Sequence, residues 1–277
     1  VGLGPVPAEI RSPEGPANDA YMALRQGRGL GGNRVQLLEH TGAMLRLQDQ
    51  DRVWVKQIKA ALMENRFRLV QQPIASLVGE DLGMFDVLLR MLDEKGQEVL
   101  PSVFMPAAER NDLMKNIDRW VIGAAMSFFT ARKPGALFVR LSQESLSDST
   151  LPAWLDNQIK ITRAEPARIV FQVREEAASP LIKDAVALHQ ALHKRGFRFA
   201  IEGFGLGRDT EQMLGHLKPD FVKIHGALMQ GLSADQDKQA RVKAMVELSR
   251  GCKAITIGER VQDANTIPGL WQLGVEF

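Results

Sequence analysis

Residues 197–224 (FRFAIEGFGLGRDTEQMLGHLKPDFVKI) read as a strand, a glycine-rich loop, a helix and a second strand. Phe197-Arg198-Phe199-Ala200-Ile201-Glu202 is rich in β-formers and ends on an acid. Phe221-Val222-Lys223-Ile224 is apolar apart from one lysine. The stretch between them has apolar residues at helical spacing. Strand–helix–strand units of this kind make parallel crossovers. Outward from it the alternation continues. Strands are expected at 67–74, 84–90, 137–142, 168–173, 197–202, 219–224 and 253–258, and helices at about 106–131, 151–162, 180–195, 208–216 and 234–250. Seven strands of two-sided apolar character favour an α/β fold that closes into a (β/α) barrel, TIM-barrel-like, over a single open sheet.

The polar residues decide where a site would lie. Arg140, Gln172, Glu202, Lys223 and Glu259 each fall at or beside the end of an expected strand, and Asp86 sits within another. In a (β/α) barrel the C-terminal strand ends converge on one mouth, where active sites are built. Six such residues with both signs of charge point to a single polar site. The competing reading is a set of buried ion pairs, which carries its own desolvation cost.

The bulk properties exclude several classes. At 277 residues, 45% hydrophobic and 25% charged, the chain is an ordinary globular one. A net charge of +2 gives no electrostatic case for nucleic acid or a membrane surface. The single cysteine, Cys252, excludes an internal disulfide and fits a reducing cytoplasm. No stretch approaches the roughly 20 apolar residues of a membrane span, and no signal peptide opens the chain. Pro5, Pro7, Pro13 and Pro16 mark a loop, followed by a short helix from Asp19 to Gln26, a strand at 33–38 and a helix at about 49–65. Val1-Gly2-Leu3-Gly4 reads as mid-strand and Gly274-Val275-Glu276-Phe277 as the start of another, so a fragment of a longer protein is expected, with the C-terminal end of the barrel truncated. His189 and His193 share a helix face but lack a third ligand. Gly203-x-Gly205-x-Gly207 lacks the spacing of a dinucleotide loop.

The order of the motifs is similar to that of the EAL family. Gln72-Pro73-Ile74, then Asp86-Val87-Leu88-Leu89-Arg90, resembles its Gln-Pro-Ile and Glu-Ala-Leu-x-Arg opening. Phe104-Met105-Pro106-Ala107-Ala108-Glu109 and Ile117-Asp118-Arg119-Trp120-Val121 resemble its Phe-Ile-Pro-x-Ala-Glu and Ile-Asp-x-Trp-Val. Phe204-Gly205-x-Gly207, Lys223-Ile224 and Gly258-Glu259-Arg260-Val261-Gln262-Asp263 fall on Asp-Asp-Phe-Gly-x-Gly, Lys-Ile-Asp and Ala-Glu-Gly-Val-Glu-Asp. Upstream, Ala17-Asn18-Asp19-Ala20-Tyr21-Met22-Ala23-Leu24 and Gly32-Asn33-Arg34-Val35 are similar to the tail of a GGDEF domain. The resemblance implies a GGDEF-like remnant at 1–38, a linker helix at 39–66 and an EAL domain at 67–277.

It also implies an activity that this chain departs from. Active members resemble cyclic-di-GMP phosphodiesterases with two divalent cations at the mouth. Here Arg140 replaces an asparagine ligand, Gln172 a glutamate, Glu202-Gly203 the double aspartate and His225 a further aspartate. Gln262 replaces a glutamate that supports the metal ligands. Only Asp86, Glu202, Lys223 and Glu259 keep the expected character. The expectation is a degenerate domain with no catalytic residues, no metal and no cofactor, binding cyclic-di-GMP through Gln72, Phe85, Asp86, Val87, Leu88, Arg90, Pro106, Arg140, Glu202, Lys223, Glu259 and Phe277. Phe277 is expected either at the edge of the mouth, where its ring can stack on guanine, or as a core aromatic on the last strand. The likeness to FimX-type regulators of type IV pili implies a PilZ-type adaptor as partner, a cytoplasmic, polar location in a bacterium, and leaves a homodimer open. Two other readings stand beside this: an interaction module that binds no nucleotide, and a residual phosphodiesterase.

Overall fold

The computed structural model describes residues 40–277, with side chains from residue 47. The readings at 1–38, including the short helix, the strand at 33–38 and the GGDEF-like remnant, lie outside the described residues. The elements run α1 (His40–Met63), β1 (Phe67–Ile74), β2 (Met84–Leu92), β3 (Glu98–Val99), α2 (Pro101–Arg110), α3 (Met114–Arg132), β4 (Ala136–Arg140), α4 (Gln143–Leu146), α5 (Leu151–Thr162), β5 (Ile169–Arg174), α6 (Glu175–Ala178), α7 (Ile182–His193), β6 (Arg198–Phe204), α8 (Thr210–Leu217), β7 (Phe221–Ile224), α9 (Gly226–Met229), α10 (Gln236–Gly251), β8 (Ile255–Gly258) and α11 (Thr266–Leu273).

The strands form one curled sheet in the order β1-β2-β4-β5-β6-β7-β8, with β3 paired to β2. From β2 to β8 the main-path pairs are parallel. β1 is antiparallel to β2, so the parallel pairing expected from the strand–helix alternation begins at β2. The cause is local: only the loop at 75–83 joins the two strands, and parallel pairing needs a longer crossover. The barrel is incomplete. β1 and β8 are not neighbours in the sheet. The last residues lie along β8, with Phe277 N–H donating to Thr256 O at 3.1 Å and Phe277 O accepting from Gly258 N–H at 2.8 Å. Leu77 N–H donates to Glu276 O at 2.9 Å, bringing the segment after β1 to the same place.

The expected 106–131 helix is two helices. Pro101 opens α2 at its first turn, where a missing N–H costs nothing. Residues 111–113 then separate α2 from α3, with Asp112 in the left-handed region at φ 55°. Alternation along the strands builds the interior. Ile74, Met84, Ala136, Phe138, Val170, Ala200, Phe221, Ile257 and Phe277 form one buried cluster inside the sheet, drawn mostly from the starts of the parallel strands. The opposite end of the barrel is left for polar groups.

Candidate functional site

Two residues beyond Met84 on the same face of β2, Asp86 projects into the barrel above the apolar cluster. Lys223 on β7 reaches across to it, with Nζ 2.7 and 2.6 Å from the two carboxylate oxygens. Gln172 on β5 completes the set. Its Nε2 donates to Asp86 Oδ1 at 3.0 Å and its Oε1 accepts from Lys223 Nζ at 3.1 Å. Lys223 also lies 5.6 Å from the centre of the Phe138 ring, a cation–π approach that closes its apolar side. Lys223 and Gln172 are almost fully buried, at 4% and 1% exposure. Every strong donor of this network meets an acceptor, which is the condition for burying charge.

At the rim, Arg140 at the end of β4 grips Glu202 of β6. Its Nη2 donates to Oε2 at 2.9 Å, and its Nε faces Oε1. Burial works against the Arg140 charge, but Glu202 first, then Asp86 and Glu259, outweigh it and hold the guanidinium above its ordinary pKa. Glu259, just after β8, accepts from Gly203 N at 3.0 Å. Burial raises its pKa above the usual 4.5, against the pull of that hydrogen bond and of Lys223 and Arg140. A raised carboxyl pKa in the folded state favours folding below the unfolded value, and that contribution is lost as pH rises through the folded one. Thermal unfolding followed across pH 4 to 8 will therefore show Glu259→Gln matching the wild type at the acid end and exceeding it at neutral pH. Parallel curves for the two proteins would contradict the burial argument.

Glu175, the first residue of α6, supplies an anchor that the sequence reading missed. Its Oε2 accepts from Gly205 N at 3.0 Å, Leu206 N at 3.3 Å and Gly207 N at 3.1 Å, fixing the loop after β6. Gly207 is required by this approach, since a Cβ there would stand 2.7 Å from Glu175 Oε1. The only sequence signal was its place immediately after a strand, beside a second glutamate. A cavity of about 650 Å³ opens between this loop and the rim, lined by Arg140, Arg174, Glu175, Glu202, His225 and Arg260 among others. That volume suits a nucleotide-sized ligand.

The expected binding residues divide into three groups. Asp86, Arg140, Glu202, Lys223 and Glu259 come together at the mouth. Gln72 lies opposite Asp86 across the β1–β2 ribbon, and Leu88 and Arg90 continue the same face along β2. Arg90 pairs loosely with Glu98 at 3.9 Å. Pro106 is exposed on α2. The remaining three lie elsewhere. Strand alternation sends Phe85 and Val87 to the other face, and Val87 lines a small apolar gap with Ala125, Phe128 and Leu137 under α3. Phe277 is buried in the interior cluster with Met84 and Phe221.

A curled α/β sheet with charged side chains gathered at the strand ends defines the general class, and comparison with known proteins makes it specific. The chain belongs to the EAL domain family, which matches residues 55–277. The match begins inside α1, whose Ile58 and Ala61 are fully buried. The EAL domain of FimX from Pseudomonas aeruginosa, solved bound to c-di-GMP, is 34% identical, with a TM-score of 0.76 over 80% of this chain and 91% of that one. The FimX EAL domain of Xanthomonas citri in complex with c-diGMP is 25% identical, with a TM-score of 0.78 over 83% and 92%. Among curated relatives, the cyclic di-GMP phosphodiesterase PdeF of Escherichia coli is 27% identical over 88% of this chain and 33% of its own length. The chain spans about a third of such relatives. No helix among the described residues is long and apolar enough to cross a membrane.

Proposed function

We propose that this EAL domain is a non-catalytic receptor for cyclic-di-GMP that passes its occupancy to a protein partner. One observation carries the reading: two of the three carboxylates gathered at the mouth are already held by fixed cations, Asp86 by Lys223 and Glu202 by Arg140. A pair of divalent ions needs several free, hard oxygen ligands. The Gln172 amide is tied into the Asp86–Lys223 network, and Glu259 already takes the Gly203 N–H. A divalent ion about 4 Å from Arg140 would meet roughly 8 kcal/mol of repulsion at an effective dielectric of about 20. The residues present do not fit the metal pair, so no hydrolytic step is assigned to them.

Binding does not require that pair. Arg90 and the Gln72–Leu88 face offer a surface along β1 and β2, and Arg140 adds a guanidinium at the rim. The likeness to the c-di-GMP-bound FimX domains supports the same ligand here. By the same likeness the partner is a PilZ-type adaptor and the process type IV pilus regulation. The relatives named as phosphodiesterases keep a hydrolytic alternative in view. Calorimetric titration with cyclic-di-GMP, once in EDTA and once in magnesium, with the nucleotide recovered and checked for cleavage, separates the readings. Equal affinity in both buffers and intact nucleotide are expected. Cleavage at an enzymatic rate in magnesium would overturn the proposal, and absence of binding in both would favour a nucleotide-free interaction module.

A further inference from the structure

We infer that Arg260 and His225 form a phosphate-binding subsite on the β6–β8 side of the mouth, where a guanidinium and an imidazole N–H take the phosphodiester of the bound dinucleotide. The inference rests on the receptor reading and assigns it residues that the motif comparison did not. Arg260 holds φ 53°, a left-handed conformation that a residue with a side chain adopts at a cost. Its stem is seated on Gly226: a Cβ at 226 would meet Arg260 Cβ at 2.9 Å and Cδ at 3.0 Å. The glycine thus makes room for the arginine beside the 650 Å³ cavity that both His225 and Arg260 line.

The other charges of the cavity wall are engaged. Arg140 is bound to Glu202, and Arg174 Nη1 lies 2.6 Å from Glu176 Oε1. Glu175 holds three loop amides and Glu259 takes the Gly203 N–H. Arg260 has no counter-ion among the described residues. His225 Nδ1 accepts from Ala227 N at 3.0 Å, which places the proton of the neutral ring on Nε2 and makes that nitrogen a donor. The ring edge borders the cavity next to Gly203, whose Cβ position is 3.6 Å from His225 Cδ2. Arg140 uses Nε and Nη2 on Glu202, so its Nη1 adds further donor capacity. An unpaired planar guanidinium with a neighbouring N–H matches the oxygens of a phosphate better than any neutral ligand. Both residues also stand where this chain departs from the motif pattern, arginine for the glycine of Ala-Glu-Gly and histidine for the aspartate of Lys-Ile-Asp.

The left-handed backbone makes Arg260→Gly a clean test, because glycine relaxes that conformation while removing the guanidinium. Wild type, Arg260→Gly and His225→Ala are titrated in EDTA with cyclic-di-GMP and, separately, with inorganic phosphate, and the apo proteins are melted. The expected result is a tenfold to hundredfold loss of cyclic-di-GMP affinity for Arg260→Gly, the range of about one charge-assisted hydrogen bond. A smaller loss is expected for His225→Ala, and the melting temperature of Arg260→Gly should be unchanged or raised. Wild-type binding with Arg260→Gly within twofold of it would overturn the subsite and leave the receptor reading intact. Phosphate binding that depends on Arg260 without any cyclic-di-GMP binding would support the subsite and sink the receptor reading. No binding of either probe to wild type would overturn both.

Discussion

Replacing Lys223 with methionine lowers the stability of the domain by about 3–5 kcal/mol, the cost typical of breaking a buried ion pair from one side. Methionine keeps most of the volume of the stem, so the loss comes from the ammonium, with its ion pair and its approach to the Phe138 ring, and not from a hole. Asp86 would lose both of its short contacts, at 2.7 and 2.6 Å, and Gln172 Oε1 the hydrogen bond that it accepts from Lys223. A domain with a total stability of about 5–15 kcal/mol cannot absorb such a loss without a large fall in melting temperature. The control is the triple variant Asp86→Leu/Gln172→Leu/Lys223→Met, in which both charges go together and no Gln172 amide is left buried without its two partners. Replacing a buried polar network with apolar residues is often neutral or better, so the triple variant should recover most of the stability. Denaturant unfolding of the three proteins measures the coupling directly. A single Lys223→Met variant as stable as the wild type would mean that the network is not held as described, and the case against metal at Asp86 would weaken with it.

The sheet was legible because its strands obey simple rules. β1 and α5 fall on the expected residues 67–74 and 151–162, the first bounded by the loop at 75–83, the second opened by Pro152 in its first turn. The polar mouth was legible for a related reason: a charge on an otherwise apolar strand has few places to go. The finer geometry was less legible. Phe85 and Val87 belong to the same motif as Asp86, but period-two alternation sends them to the opposite face. Phe277 read equally well as a rim or a core aromatic, and the turn from α11 brings it beside Thr256 and into the core. The break at 111–113 was hidden because the apolar spacing of α2 and α3 runs almost in phase across it. The β3 pairing was hidden too: the turn before it is set by Asp93, whose Oδ1 accepts from Lys95 N and Gln97 N, both at 2.8 Å. Such local side-chain caps leave little trace in a hydrophobic pattern.

Glu175→Ala is expected to free the loop that walls the cavity, and the effect should be local before it is global. In the native structure one carboxylate oxygen gathers the amides of Gly205, Leu206 and Gly207, while Arg241 Nη2 donates to Gly205 O at 3.0 Å from the other side. Hydrogen bonds to a charged acceptor contribute about 1.5–3 kcal/mol each. Three sharing one oxygen do not add fully, and Leu206 is 48% exposed, so water will replace part of what is lost. A decrease of about 2 kcal/mol in the free energy of opening is therefore expected, a roughly thirtyfold faster amide exchange at these positions. The core strand amides of β5 and β6 should exchange almost as before. Because the same loop borders Arg140, His225 and Arg260 across the cavity, cyclic-di-GMP affinity should fall together with loop protection. Hydrogen exchange read residue by residue, beside a titration of the same sample, tests the connection. If the amides of Gly205 and Gly207 keep their protection in Glu175→Ala, the carboxylate is not what orders the loop. If protection is lost but affinity holds, the loop is ordered by Glu175 yet takes no part in forming the site.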